Sequence, residues 1–87
     1  MSRDYAYEAA LAFANKLRRA RGAAPLDELP KGHQTSLSYC PLARATEAQV
    51  DTNEIQMGDD GQWLQLPRDV ARFVEKFDDG KYPELVK

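Results

Sequence analysis

The stretch QWLQLPRDVARFVEKFDDG, residues 62–80, changes its hydrophobic period at Pro67. Residues 62–66 are compatible with a strand, in which successive side chains point to opposite faces. After the proline, apolar side chains recur at the spacing of an amphipathic helix: Val70, Phe73, Val74 and Phe77. The polar positions between them are expected to face water: Arg72, Glu75 and Lys76. The stretch therefore predicts a strand and then a helix over about residues 67–79, ending at Gly80.

A β-hairpin is predicted just upstream of this helix. Residues 54–57 alternate polar and apolar side chains, and residues 58–61 supply turn residues before the strand at 62–66. Val50 indicates a short third strand, joined through a tight turn at residues 51–53. The chain is therefore predicted to be an α+β protein.

The two faces of the hairpin cannot both be buried by so short a chain. Trp63 and Leu64 are consecutive, so they point to opposite faces of a strand. If Leu64 and Leu66 face the core, Trp63 lies on the outer face. An isolated hairpin is marginal in water, so we expect the first and last helices to cover the other face.

The first element is predicted to be a helix from Ser2 or Arg3 to Arg21, with Ser2 as N-cap and Gly22 as the stop. One face carries Ala6, Ala9, Ala10, Phe13, Leu17 and Ala20, and Tyr7, Leu11 and Ala14 widen it. Its largest members, Phe13 and Leu17, are predicted to pack against the phenylalanines of the last helix.

A long loop over residues 23–39 separates this helix from a short second helix at about Pro41–Glu47. Three leucines are expected to anchor the loop: Leu26, Leu29 and Leu37. Proline is favoured at the first helical position, so the Cys40-Pro41 pair places the thiol at a helix N-terminus. We expect one domain over residues 1–87.

Length and composition narrow the functional classes. The 87 residues are 43% hydrophobic and 30% charged, a composition typical of a globular protein. The net charge of −2 does not favour broad electrostatic attraction to nucleic acid or to a membrane. No apolar run approaches the ~20 residues of a membrane span, and no secretory leader is evident. A single cysteine cannot form an internal disulfide. We therefore predict a cytoplasmic protein.

Cys40 is the candidate nucleophile, and His33 is the only histidine that could serve as its base. Free cysteines are also among the most buried residues, where they behave as small hydrophobes. The interpretation favoured here is a buried thiol at a helix cap.

A metal site is not indicated, because His33, Cys40, Asp59 and Asp60 lack the closely paired spacing of zinc ligands. The two Asp-Asp-Gly segments are read as a hairpin turn and a helix end. Phosphate-binding loops and catalytic triads are also absent from the sequence. No cofactor is therefore predicted.

A basic cluster lies at the end of the first helix: Lys16, Arg18, Arg19 and Arg21. Positive charge stabilises a helix C-terminus without any ligand, so a solvated helix end is the preferred interpretation. Contact with a partner protein and binding of nucleic acid remain the alternatives.

The segments CPLARA, residues 40–45, and LPRDVARFVEKFDDGKYPEL, residues 66–85, resemble small uncharacterised proteins of actinobacteria and their bacteriophages. The likeness covers about the last fifty residues and brings no catalytic residue with it. It implies a cytoplasmic accessory protein that a bacteriophage could encode. Such proteins often act by binding a host protein.

The function predicted from these features is that of a non-enzymatic protein-interaction module. Its surface is expected to combine the loop at residues 23–39 with Trp63, Tyr7 and His33. One alternative is a nucleic-acid-binding or regulatory protein that uses the basic cluster. The other is an enzyme or redox protein that depends on Cys40.

Overall fold

The computed structural model describes residues 4–34, 39–51, 53–57 and 61–87. These residues form three α-helices, three strands and one 3₁₀ turn, in the order α1 Tyr5–Ala20, α2 Pro41–Thr46, β1 Gln49–Val50, β2 Glu54–Met57, β3 Gln62–Gln65, α3 Arg68–Asp78 and the 3₁₀ turn at Pro83–Leu85. The α+β class is confirmed.

Helix α1 begins at Tyr5 with Asp4 as its N-cap, so the predicted start at Ser2 or Arg3 is wrong, and residues 1–3 lie outside the described part. Its buried residues are Ala6, Tyr7, Ala10, Leu11 and Ala14. Phe13 and Leu17 are only partly buried, and Ala20 is exposed. The buried face is therefore centred on Tyr7 and Leu11 and not on Phe13 and Leu17, as the sequence predicts.

Helix α3 has its predicted bounds, and its four predicted apolar residues are buried. The Phe73 ring lies 6.0 Å from the Tyr7 ring in an edge-on arrangement and 4.9 Å from the Tyr82 ring. Phe77 stacks on Phe73 from the next turn, with centroids 6.4 Å apart. Aromatic side chains from α1, α3 and the C-terminal segment thus form the centre of the core.

The sheet is antiparallel throughout, in the order β1-β2-β3. The pairings Val50 with Ile55 and Ile55 with Leu64 put these three side chains on one face. Val50 and Ile55 are buried in the same core as the helices, whereas Leu64 is 48% exposed. The short third strand is confirmed, and the tip of the hairpin at residues 58–60 lies outside the described residues.

The first half of the long loop is held by polar side chains of α1 as well as by its leucines. Asn15 exchanges two hydrogen bonds with the backbone of Leu26, at 2.8 and 3.0 Å, and the Leu29 N–H donates to the Tyr7 hydroxyl at 3.0 Å. Leu29 is buried and Leu26 is partly buried. Leu37 lies outside the described residues.

A polar cluster around Asp4 joins the two ends of the chain. Its carboxylate accepts hydrogen bonds from the Tyr7 N–H at 2.9 Å, the Lys76 ammonium at 2.6 Å and the Tyr82 hydroxyl at 2.8 Å. Lys76 therefore pairs with α1, contrary to the prediction that it simply faces water. Burial acts to raise the pKa of Asp4, but these hydrogen bonds and the Lys76 charge outweigh it and lower the pKa from 3.8 to about 2.

This cluster predicts an acid-sensitive step in stability. A carboxylate with a lowered pKa in the folded state contributes stability that is present above its unfolded pKa of 3.8 and is lost as the pH falls towards about 2. We expect the melting temperature of the wild type to fall more steeply over that interval than that of Asp4→Asn. As a control, Asp79→Asn changes an exposed carboxylate. Parallel acid profiles for wild type and Asp4→Asn would contradict the assignment.

Candidate functional site

A groove opens between α2 and the outer face of the sheet. It has a volume of about 420 Å³ and is lined by Tyr39, Ala43, Arg44, Glu47, Ala48, Gln49 and Gln56. Gln49 and Gln56 face each other across β1 and β2, so both lie on the face opposite Val50 and Ile55. The groove is therefore a feature of the outer face of the sheet.

Trp63 lies beside Gln56 of this groove without lining the groove itself. Gln56 and Trp63 are directly opposite in the register of β2 and β3 and share the outer face. Trp63 is 37% exposed, as expected for the outer face, and Tyr39, which lines the groove, is 60% exposed. The outer-face surface, defined as Tyr39, Arg44, Gln56 and Trp63, thus combines two exposed aromatic rings with an arginine.

Polar groups around the groove are oriented by nearby contacts. Arg44 donates to the Lys31 carbonyl at 3.0 Å, and Glu47 forms an ion pair with Arg21 at 3.0 Å. The Gln56 side chain donates to the Gly61 carbonyl at 2.9 Å. Glu47 has a left-handed conformation, with φ of 56°, where the chain leaves α2 for β1. These contacts orient three of the polar side chains that line the groove.

Tyr7 is not part of an exposed surface. The sequence placed it at the interface, but its ring is buried among Phe73 and Tyr82, and its hydroxyl accepts the Leu29 N–H. A tyrosine can be buried when its hydroxyl finds a partner, and here the long loop supplies one. The exposed aromatic residue of α1 is Tyr5, at 75%.

His33 is exposed at the base of the loop. Its backbone N–H donates to the Tyr39 carbonyl at 2.7 Å, and its ring lies edge-on to the Tyr39 ring with centroids 6.1 Å apart. His33 therefore supports Tyr39 at one side of the groove. No signal in the sequence indicated the contact between His33 and Tyr39, because that contact depends on how the loop folds back towards α2.

Cys40 is the N-cap of α2, where the Cys40-Pro41 pair places it. Its sulfur accepts a hydrogen bond from the Ala43 N–H at 3.3 Å, and the side chain is buried. Burial raises the pKa of the Cys40 thiol, and the backbone hydrogen bonds to its sulfur only partly offset that effect. The thiolate form is therefore disfavoured at neutral pH.

This placement predicts slow labelling of Cys40 by a thiol reagent in the folded protein and rapid labelling in denaturant. The physical reason is twofold, since the sulfur is shielded and its reactive anion is disfavoured. The measurement is the labelling rate at neutral pH with and without denaturant. Native labelling as fast as in the unfolded chain would restore the reactive-thiol hypothesis.

Two members of the basic cluster have structural partners. Arg18 donates to the Ala24 carbonyl at 2.8 Å and to the Ala45 carbonyl at 3.0 Å, so it ties the start of the loop to the end of α2. Arg21 pairs with Glu47. Lys16 and Arg19 are exposed on α1. The cluster is thus divided between anchoring and solvated cations.

Within the described ranges, no group of three His, Cys, Asp or Glu residues is placed to hold a metal ion, and Asp59 and Asp60 lie outside those ranges. Among the same residues, no helix combines the length and apolar character required to cross a bilayer. Comparison of the chain with protein-family models, curated proteins and solved structures finds no match.

Proposed function

We propose that this chain is a non-enzymatic protein-interaction module that binds another protein through the outer-face surface. The observation that carries the proposal is the exposure of Trp63 beside Gln56, which lines a groove together with Tyr39 and Arg44. Tryptophan, tyrosine and arginine are the residues most enriched at interface hot spots. The resemblance to small proteins of actinobacteria and bacteriophages supports an accessory role in the cytoplasm, with a host protein as partner.

The alternatives have less support among the described residues. A thiol-dependent enzyme needs an accessible, ionised Cys40, and this thiol is buried with a raised pKa. A nucleic-acid-binding protein needs several solvated cations on one surface. Arg18 donates to two carbonyls and the exposed Arg21 is paired with a carboxylate, which leaves Lys16 and Arg19 as the exposed cations of that cluster outside these contacts.

The test measures how much of the partner protein is captured from a lysate of the natural host. Tagged wild-type protein is compared with tagged variants. Trp63→Ala and Tyr39→Ala should each lose the captured protein while keeping the wild-type circular dichroism spectrum. Tyr5→Ala is the matched control, because it removes an exposed ring from α1, away from the groove. It should retain the partner.

The nucleic-acid alternative is examined in the same experiment with the double variant Lys16→Ala and Arg19→Ala. Arg18 is unsuitable for this purpose, because its removal would release the loop from α2. The proposal expects the double variant to capture the partner normally. Salt-sensitive binding to DNA that disappears in the double variant, with Trp63→Ala behaving as wild type, would overturn the proposal.

A further inference from the structure

Strand β3 lies at the edge of the described sheet, and its hydrogen-bond pattern shows which backbone groups point outward. The Leu66 N–H donates to the Asn53 carbonyl at 2.8 Å, which continues the register of β2 and β3 by one pair. Hydrogen-bonded and non-hydrogen-bonded pairs alternate along an antiparallel ladder. Leu64 therefore directs its backbone groups to β2, whereas Trp63 and Gln65 direct theirs away from the sheet.

We infer that two copies of this chain pair through their β3 strands, antiparallel, with Leu64 opposite Leu64 of the second copy on the two-fold axis. In this register Trp63 faces Gln65 of the second copy, and the reverse pair is related by symmetry. All outward N–H and C=O groups of Trp63 and Gln65 are then hydrogen bonded. The product is a six-stranded antiparallel sheet.

The neighbouring registers are less favourable. Centring the pair on Gln65 places Trp63 opposite Pro67, which has no N–H to donate. Centring it on Trp63 places Gln65 opposite Gly61, whose φ of 70° is outside the extended range. A register offset by one residue would set an outward-pointing residue against an inward-pointing one. Only the pairing on Leu64 uses strand residues alone.

The composition of β3 favours a second copy of the chain as the occupant. None of residues 62–65 is charged, although natural edge strands are commonly protected by charges. Every cross-strand pair in the inferred register is therefore neutral, and the net charge of −2 gives little repulsion between copies. Leu64, which continues the buried row of Val50 and Ile55, gains an apolar neighbour from its symmetry mate.

There is room for this arrangement, because Leu64 is 48% exposed on the face that carries the helices. The helical layer thus leaves the β3 edge open. In the dimer both helical layers lie on one side of the sheet, and both Trp63 grooves lie on the other.

The inference does not rest on the proposed partner, which would bind the face that dimerisation leaves accessible. Four residues bury little area, so a weak, concentration-dependent dimer is expected.

Sedimentation analysis from micromolar to millimolar concentration provides the first test. Wild-type protein should shift from monomer to dimer, and Leu64→Lys should remain monomeric, because like charges would meet on the axis. An equimolar mixture of Leu64→Lys and Leu64→Glu should recover the dimer. Gln49→Lys, which adds a charge at an exposed position on β1, is the matched control and should dimerise as wild type.

Disulfide formation tests the register. Leu64→Cys should cross-link rapidly on oxidation, since directly opposite residues of a non-hydrogen-bonded pair lie within disulfide range. Gln65→Cys should cross-link slowly, because its two copies would be farther apart than about 7 Å. The buried Cys40 should not contribute. A wild-type protein that stays monomeric at millimolar concentration, or faster cross-linking at position 65 than at 64, would overturn the inference.

Discussion

Truncation of Phe73 to alanine is expected to reduce the free energy of unfolding by about 3–5 kcal/mol. Phe73 is fully buried, and its ring contacts those of Tyr7, Phe77 and Tyr82, which come from three parts of the chain. The resulting cavity would be lined by these three buried rings. Domains are stable by roughly 0.05–0.15 kcal/mol per residue, or about 4–13 kcal/mol for 87 residues, so the variant should lose a large share of its stability and unfold at a distinctly lower temperature.

Chemical denaturation followed by circular dichroism measures this loss, and Phe13→Ala is the matched control. The same atoms are removed there, but from a residue that is only partly buried at the margin of the core. Phe13→Ala should therefore cost distinctly less than Phe73→Ala. Equal losses at the two positions, or a larger loss at Phe13, would show that the core is centred on the α1 face that the sequence predicts.

The second large effect is expected for Gly32→Ala. Gly32 forms two backbone hydrogen bonds with the C-terminal segment. Its N–H donates to the Leu85 carbonyl at 2.8 Å, and its carbonyl accepts from the Lys87 N–H at 2.9 Å. An added Cβ would collide with the Tyr39 carbonyl oxygen and lie 2.7 Å from the backbone of Cys40 and Pro41. Because these are main-chain atoms, the start of α2 must move, and we expect a loss of about 3 kcal/mol, towards the upper end for overpacking.

Two measurements separate this clash from general destabilisation. Lys31→Ala, an exposed neighbour, should change stability by less than about 0.5 kcal/mol. Displacement of the Cys40 backbone should also increase native-state labelling of its thiol, at denaturant concentrations where Gly32→Ala is still folded. A Gly32→Ala protein with wild-type stability and a protected thiol would contradict the close approach of the two segments.

A practical consequence concerns variants chosen from sequence alone. Arg18 and Tyr7 look like surface residues of an amphipathic helix, yet both anchor the long loop, through the Ala24 carbonyl and the Leu29 N–H respectively. Replacing either residue would change loop position and stability together. Trp63, Tyr39 and Leu64 are better probes of function, because each is substantially exposed and lies at the groove or the sheet edge.

Local patterns determined the elements of this protein. The stripe of Val70, Phe73, Val74 and Phe77 predicted α3 and its buried face. Apolar residues that recur with the 3.6-residue period of a helix lie on one face, and burial of that face removes them from water. Alternation around the turn predicted the hairpin, and the Cys40-Pro41 pair predicted the start of α2, since proline is tolerated at that position.

Tertiary structure decided which side chains of those elements are buried or exposed. Leu64 has the strand position of a core residue but is half exposed, because β3 is the last strand and the helices do not reach over its edge. Tyr7 is buried because a loop that follows α1 brings an N–H to its hydroxyl. Tyr39 lines a groove together with Gln56, the cross-strand neighbour of Trp63, although Tyr39 and Trp63 are 24 positions apart in the sequence. These outcomes depend on tertiary contacts between segments that are distant in the sequence. The hydrophobic periodicity of one segment carries no information about those contacts.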